Sequence, residues 1–314
     1  MDYTVLGRTG MKVSVAGLGC GGPSRLGLGD RASSERQAIV LVREAIGLGI
    51  NFIDTAESYG TEGVVGKAIA GVERDRLILS TKKTLPAQDH PNPAKEVRSG
   101  LERSLRKLGT DYIDVYHLHG VEPKDYRFAR ERLLPPMLRL REQGKIRFIG
   151  VTEAFVPDPA HEMLQRALED SSWDVFMVGF NLLNPSARKT VFPLTRVKSI
   201  GTLNMFAVRR ALSRPERFVS LCNDLVQRNA IDRDVFDGAS PLDVILRESG
   251  AATLAEAAYR FCRHEPGIDV VLTGTGNLEH LKANVEAMLK PPLPRAALER
   301  LERIFGALDY LTGN

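Results

Sequence analysis

Residues 49–60 read Gly-Ile-Asn-Phe-Ile-Asp-Thr-Ala-Glu-Ser-Tyr-Gly, and the rest of the chain is best interpreted around this stretch. An apolar run typical of a strand leads directly into the carboxylate of Asp54, and Tyr59 follows five residues later beside a glycine that permits a turn. A carboxylate at the end of a buried strand is costly unless it is paired. We therefore expect a cation from elsewhere in the chain to reach Asp54.

Two further strand-like runs end in groups that could meet this carboxylate. Residues 77–81 are followed directly by Lys82, and residues 112–119 end in His119. Helical patterns separate these runs from each other and from the first one. If the strands are parallel and adjacent, their carboxyl ends form one rim, and the side chains of Asp54, Lys82 and His119 meet there together with the tyrosine.

Strand and helix patterns alternate eight times along the chain. The strand-like runs begin near residues 16, 51, 77, 112, 148, 175, 201 and 270. This alternation predicts an α/β fold, namely a single (β/α)8 TIM barrel with its functional groups at the carboxyl ends of the strands. We also predict an N-terminal β-hairpin within residues 3–15 and an additional C-terminal helix over residues 295–308, outside the barrel.

An open, doubly wound sheet is the alternative architecture. It requires a glycine-rich phosphate-binding turn directly after the first strand. Gly17, Gly19, Gly21 and Gly22 crowd at that point but do not give the G-x-G-x-x-G spacing with a helix that opens immediately. The barrel is therefore favoured.

The predicted domain spans residues 1–314 and carries one long insertion, at about residues 206–250. The insertion separates the seventh strand from the next helical pattern, contains Arg209 and Arg210, and includes a candidate helix over residues 215–229. Connections of this length are uncommon unless they serve a function. We expect it to lie on the catalytic rim and to shape access to the site, although a solvated surface excursion remains open.

Composition excludes several classes of protein. The chain has 43 lysines and arginines against 39 aspartates and glutamates, with both signs interleaved, so nucleic-acid binding gains little support. The three cysteines are far apart and lack metal-binding spacing, which indicates a reducing compartment. No apolar run approaches the length of a membrane span, and the N-terminus does not resemble a secretion signal. We expect a cytoplasmic protein with a small-molecule substrate; the oligomeric state is not predicted.

Three motifs resemble those of the aldo-keto reductase family: NFIDTAESYG at residues 51–60, STK at residues 80–82 and YHLH at residues 116–119. The resemblance extends over nearly the whole chain, from residues 3–10 to residues 273–277. It implies an oxidoreductase that transfers a hydride between NADP(H), or NAD(H), and a carbonyl or alcohol substrate such as an aldehyde, a ketone or a sugar.

Carbonyl reduction needs a hydride delivered to carbon and a proton delivered to oxygen. No side chain supplies a hydride, so a nicotinamide must be bound. For the proton, the resemblance implies Tyr59 as the general acid, with a pKa lowered by the ammonium of Lys82. It further implies that Asp54 holds Lys82 in place and that His119 forms a hydrogen bond with the substrate oxygen.

Two neighbouring residues compete for these roles. Lys83 competes with Lys82, and because strand alternation allows only one of them to point inward, we choose Lys82, the residue directly after the strand. His117 and His119 share a strand face, so a metal site with Asp54 is an alternative. It lacks a third histidine or carboxylate at the rim.

Cofactor contacts are the positions at which the sequence departs from the family. Where the family usually has Ser-Asn and then Gln to hold the nicotinamide carboxamide, this chain has Thr152, Glu153 and Met177. Glu153 can accept but not donate a hydrogen bond when ionised, so Asn181 is a candidate substitute. Met205 occupies the position at which the family often stacks an aromatic ring on the nicotinamide.

The resemblance places the adenosine half of the cofactor at residues 272–277, which include Gly274 and Thr275, and on the following helix. Free N–H groups and the helix dipole would attract a phosphate there. His280 replaces the family's usual arginine, and Asn284 retains its asparagine. We therefore predict a modest preference for NADPH over NADH.

A binding or regulatory module that keeps the cofactor but has little turnover is the alternative function. The complete set of four catalytic groups favours the enzyme, because a regulator has less need of all four. The sequence does not identify the substrate.

Overall fold

The protein, in a computed structural model that describes residues 1–29 and 33–314, forms a closed barrel of eight parallel strands. The strands, including the two of a separate antiparallel hairpin, are β1 (Tyr3–Val5), β2 (Lys12–Ser14), β3 (Ala16–Gly19), β4 (Phe52–Asp54), β5 (Ile78–Thr84), β6 (Ile113–Val121), β7 (Ile146–Glu153), β8 (Val175–Gly179), β9 (Gly201–Met205) and β10 (Val270–Thr273). Strands β3 to β10 pair in sequence order, and β10 closes on β3. The predicted (β/α)8 barrel is confirmed.

Helices surround the barrel and connect its strands. They are α1 (Glu35–Gly47), α2 (Glu62–Ile69), α3 (Pro93–Leu108), α4 (Tyr126–Phe128), α5 (Leu134–Glu142), α6 (Glu162–Ala167), α7 (Ala187–Thr190), α8 (Phe192–Val197), α9 (Arg210–Ser213), α10 (Pro215–Gln227), α11 (Pro241–Ser249), α12 (Leu254–Arg263), α13 (Leu278–Leu289) and α14 (Arg295–Phe305). The sequence motifs for helix ends agree with these bounds. Ser34 and Gln37 form a capping box at the start of α1, and Asn92 caps α3.

Strand alternation fills the inside of the barrel. The first inward positions of the strands carry apolar side chains, which pack together with three from the hairpin, Leu6, Met11 and Val13. These interior residues include Phe52, Ile78, Val115, Val175, Leu203 and Val270. The hairpin therefore plugs the amino-terminal end of the barrel and leaves the carboxyl end for polar groups.

The next inward positions carry polar and ionisable side chains. Asp54 lies two residues beyond the interior layer on β4, Ser80 and Lys82 lie two and four residues beyond it on β5, and His117 and His119 occupy the same positions on β6. Because side chains two residues apart point to the same face of a strand, an ordinary strand period carries these groups from the apolar core to the rim.

The insertion at residues 206–250 is folded and mostly helical. It contains α9, the expected α10, a 3-10 turn at Arg233–Phe236 and α11, which sequence analysis did not predict. Buried Phe218 and Val244 anchor the insertion in the outer core. Arg300 of α14 forms ion pairs with Asp237 at 2.8 Å and Glu248 at 3.0 Å. The insertion is thus joined to the outer core by apolar contacts and to α14 by ion pairs.

Two findings bear on the compositional expectations. In the described part of the chain, no helix combines the length and apolarity needed to cross a membrane. Cys20, Cys222 and Cys262 are buried and free, and each fills space in the outer core as a small apolar side chain.

Candidate active site

The centre of the site is a buried ion pair. Lys82 Nζ donates to Asp54 Oδ2 at 2.5 Å and to the Thr55 carbonyl at 2.7 Å, and Ser80 Oγ donates to Asp54 Oδ1 at 2.7 Å. Burial raises the pKa of the Asp54 carboxyl, and the charge and hydrogen bonds of Lys82 oppose this shift. Burial alone would lower the pKa of Lys82, but the Asp54 carboxylate outweighs it and holds that pKa above its ordinary value. Lys82 is therefore cationic at neutral pH.

Tyr59 lies above this pair, at the end of the 3-10 turn that follows β4. Its ring centroid is 4.8 Å from Lys82 Nζ, and its hydroxyl oxygen is 3.3 Å from His119 Nε2. A Cβ atom on Gly21 would come within 2.4 Å of the Tyr59 ring, so only glycine fits there. These contacts hold the phenol at the junction of three strands.

The pKa of Tyr59 differs from the expectation. Burial raises it above the ordinary value of 10.0; Lys82 lowers it but does not compensate, and Asp54 raises it further. The expected net decrease is therefore wrong, because burial of the phenol outweighs the neighbouring ammonium. Tyr59 carries its proton at neutral pH, which is the form that a proton donor requires.

His119 cannot supply that proton. Burial, assisted by the charge of Lys82, lowers its pKa to about 3. The imidazole is therefore neutral at physiological pH and offers one N–H donor and one acceptor. Its Nδ1 lies 3.4 Å from Ser58 Oγ, and its Nε2 faces the Tyr59 hydroxyl. A neutral imidazole in this position can orient a substrate oxygen.

His117 lies deeper in the barrel and is fully buried. Neither of its ring nitrogens has a hydrogen-bond partner within residues 1–29 and 33–314, and burial holds its pKa well below the ordinary value. Within the same residues, no group of three or more metal-ligating side chains comes together. Both oxygens of Asp54 are already engaged by Lys82 and Ser80, so the alternative metal site gains no support from the geometry.

Lys83 points away from the barrel interior. Its Nζ donates to Glu57 Oε1 at 2.6 Å, and the same oxygen accepts from the Thr84 backbone N–H at 3.1 Å. Arg103 approaches the other carboxylate oxygen of Glu57 at 3.6 Å. Glu57 stands two residues before Tyr59, so this outer ion pair anchors the turn that carries the phenol. Sequence analysis missed this role, although an acidic residue in the turn and two adjacent lysines were visible.

A cavity of about 1040 Å³ opens above these groups at the carboxyl end of the barrel. Tyr59 and His119 line this cavity, and so do His280 and Asn284. Of the predicted cofactor-binding residues, those that line it are Thr152, Glu153, Met205, Gly274, Thr275, His280 and Asn284, together with Met177.

The structure does not support a cofactor contact for two of the predicted residues. The carboxylate of Glu153 is buried, accepts from the Gly179 N–H at 2.7 Å and pairs with His161 Nδ1 at 2.9 Å. Asn181 does not line the cavity. Its Oδ1 accepts from the Leu183 N–H at 2.9 Å, and its Nδ2 faces the Phe206 carbonyl at 3.3 Å. Both side chains are engaged within the protein and stabilise the loops after β7 and β8.

Thr152 is also partly engaged, since its Oγ1 accepts from the Gly120 N–H at 2.6 Å. Its hydroxyl hydrogen can still point into the cavity, because a hydroxyl both donates and accepts.

The adenosine end differs from the expectation in one respect. Asn277 Oδ1 caps α13 by accepting from the N–H groups of Glu279 at 2.8 Å and His280 at 3.0 Å, so these donors are not free. Asn284 Nδ2 donates to Thr273 Oγ1 at 2.9 Å. The exposed His280 side chain lines the cavity, whereas Lys282 pairs with Glu279 at 3.3 Å. Side-chain groups, more than backbone N–H groups, therefore remain for a ligand here.

The insertion supplies a wall that sequence analysis did not assign. Phe206, in a left-handed backbone conformation with φ of 69°, lines the cavity, and the Arg209 guanidinium stacks 4.1 Å from its ring centroid. Four arginines of the insertion border the cavity: Arg209, Arg210, Arg214 and Arg217. The insertion thus lines the cavity with an aromatic ring and four cationic side chains.

Comparison with known proteins gives one consistent result. The family model described as "Aldo/keto reductase family" matches residues 18–305. L-galactose dehydrogenase of Arabidopsis thaliana is 35% identical over 324 residues, covering 99% of this chain and 97% of that protein. Aldo-keto reductase YhdN of Bacillus subtilis (strain 168) is 29% identical and covers 90% of this chain and 88% of that protein.

Solved structures show the same architecture. The thermostable aldo-keto reductase Tm1743, in complex with the inhibitor epalrestat, superposes with a TM-score of 0.72 at 25% identity, over 96% of this chain and 99% of that one. An aldo/keto reductase from Klebsiella pneumoniae, in complex with NADP and acetate, superposes with a TM-score of 0.69 at 24% identity, over 97% of this chain and 96% of that one.

Proposed function

The chain belongs to the aldo/keto reductase family and is an oxidoreductase, and from this premise we propose that it transfers a hydride between NADP(H) and a small carbonyl or alcohol substrate. One observation carries the proposal: a protonated phenol, a buried ammonium and a neutral imidazole meet at the mouth of one cavity. The Tyr59 hydroxyl lies 3.3 Å from His119 Nε2, and its ring lies 4.8 Å from Lys82 Nζ.

The cavity fits a dinucleotide cofactor. Its volume of about 1040 Å³ is at the upper end of the range for small-molecule sites, roughly 300–1000 Å³, so a cofactor and a small substrate can share it. Its floor includes backbone at Gly19, Gly21 and Gly274. A Cβ on Gly274 would lie 3.0 Å from the Gly19 carbonyl oxygen, so a larger residue would crowd the backbone at this point of the wall. The exposed arginines Arg210, Arg214 and Arg217 supply charge opposite to that of phosphates. When bound, the nicotinamide supplies or accepts the hydride.

The side chains of the protein then transfer the proton. Tyr59 donates it to the substrate oxygen during reduction and recovers it during oxidation. Lys82 stabilises the phenolate that forms, so the positive charge acts mainly as the proton leaves. Asp54 keeps Lys82 charged and in place. Neutral His119 donates a hydrogen bond to the substrate oxygen and fixes its angle.

Steady-state assays over a substrate panel test this proposal. Aldehydes, ketones and aldoses are followed by loss of NADPH absorbance, and alcohols and sugars, including L-galactose, by reduction of NADP+. We expect turnover of at least one class. Binding of both cofactor forms without turnover over the whole panel would instead support the regulatory module.

Chelation separates this mechanism from a metal-dependent one. Since the phenol and ammonium perform the proton transfer, prolonged treatment with a chelator should leave the rate unchanged. Inactivation by the chelator, reversed by zinc, would contradict the mechanism.

A further inference from the structure

The wall of the cavity formed by the insertion carries more positive charge than the protein itself balances. The salt bridges within residues 1–29 and 33–314 engage none of the four arginines. The carboxylates that border the same cavity belong to Asp54 and Glu153. Asp54 is paired with Lys82, and Glu153 is paired with His161. An anionic molecule in this cavity would therefore meet uncompensated arginine.

Arg209 is the most constrained of the four. It is partly buried, stacks on Phe206 at 4.1 Å and donates from Nε to Asn314 Oδ1 at 2.9 Å. No hydrogen bond from its Nη1 or Nη2 to the described residues accompanies these contacts. One face and one edge of the guanidinium are thus fixed. The protein therefore orients Nη1 and Nη2, and their N–H groups remain available to a ligand. This arrangement suits a planar oxyanion.

The position of Arg209 is at the catalytic end of the cavity. Gly21 packs against the Tyr59 ring. A Cβ atom added to the next residue, Gly22, would lie 3.7 Å from Arg209 Nη1. Burial, followed by the charge of Arg210, lowers the pKa of Arg209, and the nearby phenol of Tyr59 acts in the opposite direction. Arg209 therefore lies near Tyr59, the group that meets the substrate oxygen in the proposed function.

We propose that Arg209 binds an anionic group of the substrate, so that the preferred substrates are carbonyl or hydroxyl compounds that also carry a carboxylate or a phosphate. The proposal rests on the function proposed above. The exposed side chains of Arg210, Arg214 and Arg217 raise the local positive potential and attract such substrates into the cavity. The guanidinium of Arg209 then fixes the anionic end while Tyr59 and His119 hold the reacting oxygen.

Matched substrate pairs test this assignment. We would compare kcat/KM for 4-carboxybenzaldehyde and succinic semialdehyde with that for their methyl esters, in the parent protein and in Arg209→Gln, Arg209→Lys and Arg228→Gln. Arg228 is a matched control because it lies in the same insertion, does not line the cavity and pairs with Asp224 at 3.0 Å. Arg209→Gln should lose about tenfold to a hundredfold with the acids and less than threefold with the esters, since a charged hydrogen bond is lost only with the acids. Arg209→Lys should fall between, and Arg228→Gln should match the parent.

Two further measurements decide where the anion belongs. The dissociation constant of NADPH should change by less than about threefold in Arg209→Gln. A large loss of NADPH affinity with an unchanged ratio of acid to ester would assign Arg209 to the cofactor pyrophosphate and overturn the proposal. Equal losses with acid and ester would indicate a structural role and would also overturn it.

Binding of benzoate and benzamide to the complex with NADP+, followed by calorimetry, is a readout that does not need turnover. We expect benzoate to bind more tightly than benzamide in the parent protein and equally weakly in Arg209→Gln. If no substrate turns over but this difference appears, the proposed function fails while the anion site stands. If neutral carbonyls turn over and the difference is absent, the anion site fails while the proposed function stands.

Discussion

Two parts of the barrel mouth differ in how their charges are balanced. At the ends of β4 to β6, which we call the catalytic rim, each lysine has its own carboxylate: Lys82 has Asp54 at 2.5 Å, and Lys83 has Glu57 at 2.6 Å. The wall formed by the insertion carries Arg209, which stacks on an aromatic ring. The catalytic rim is therefore arranged by the protein alone, whereas the insertion wall has charge to offer a ligand.

The largest expected effect comes from changing the catalytic rim at Tyr59, its proposed proton donor. Tyr59→Phe keeps the ring but removes the hydroxyl, and loss of a positioned general acid costs about 10²–10⁴-fold in rate. The change should lower kcat while leaving the NADPH dissociation constant nearly unchanged. Tyr310→Phe is the matched control, because this tyrosine is exposed and does not line the cavity. Turnover of Tyr59→Phe within a few-fold of the parent would remove Tyr59 from the mechanism.

The same comparison explains what could be predicted from sequence. The barrel and the rim depend on short-range rules: strand alternation places Asp54, Lys82 and His119 on one face, and parallel strands bring their ends together. The insertion wall depends on contacts between distant segments. Arg209 meets Asn314, more than a hundred residues away, and no local pattern signals that contact.

Contacts that the sequence did not reveal have related causes. Glu153 pairs with His161, whose left-handed backbone conformation, with φ of 63°, turns its ring toward β7. Asn181 holds the loop after β8 and the backbone near Thr312. The pKa of Tyr59 depends on how deeply the phenol is buried, which the charge of a neighbouring lysine does not reveal. In each case, packing across the fold decides which polar atoms are engaged within the protein or which group carries charge.

A second prediction concerns acid stability, because the catalytic rim buries neutral histidine. The folded-state pKa is lowered to about 3 for His119 and is well below the ordinary value for His117. Below about pH 6.5 both imidazoles bind a proton in the unfolded chain but stay neutral in the folded protein. Their contribution to the free energy of unfolding is therefore complete above that pH and is lost as the pH decreases. The slope reaches about 1.4 kcal/mol per pH unit for each histidine.

Urea unfolding at pH 7.5 and pH 5 measures this effect. His117→Leu should reduce the acid loss of unfolding free energy by up to about 2 kcal/mol, the share of one histidine over that interval. At pH 7.5 the same change should be nearly neutral or stabilising, since both ring nitrogens lack partners among the described residues. An identical loss in the variant and the parent would show that His117 does not bind a proton differently in the two states.

The outer ion pair of the rim gives a smaller effect on rate. Glu57→Gln keeps the shape of the side chain but weakens its contacts with Lys83 and the Thr84 N–H, which anchor the turn that carries Tyr59. We expect kcat to fall by up to about tenfold with little change in KM, since a misplaced acid loses rate more than binding. The matched control is Glu96→Gln, because Glu96 approaches Lys83 only at 3.9 Å. Equal rates for the two variants would mean that Glu57 does not position the phenol.

The smallest expected effect concerns the choice between NADPH and NADH, which we expect to depend on one exposed histidine of the cavity wall. His280 lines the cavity beside Asn284, while Lys282 is paired with Glu279, so a ribose 2′-phosphate would meet imidazole in place of a guanidinium. We predict tighter binding of NADPH than of NADH by a few-fold only, because an imidazole offers the 2′-phosphate less than the charged, forked donors of a guanidinium. Fluorescence titration of both reduced cofactors with the parent protein, His280→Arg and His280→Gln measures this preference. His280→Arg should raise the ratio of NADPH to NADH affinity above that of the parent protein, and His280→Gln should leave it at or below the parent value. A clear NADH preference in the parent protein would contradict the proposed cofactor, and equal ratios in all three proteins would remove His280 from the phosphate site.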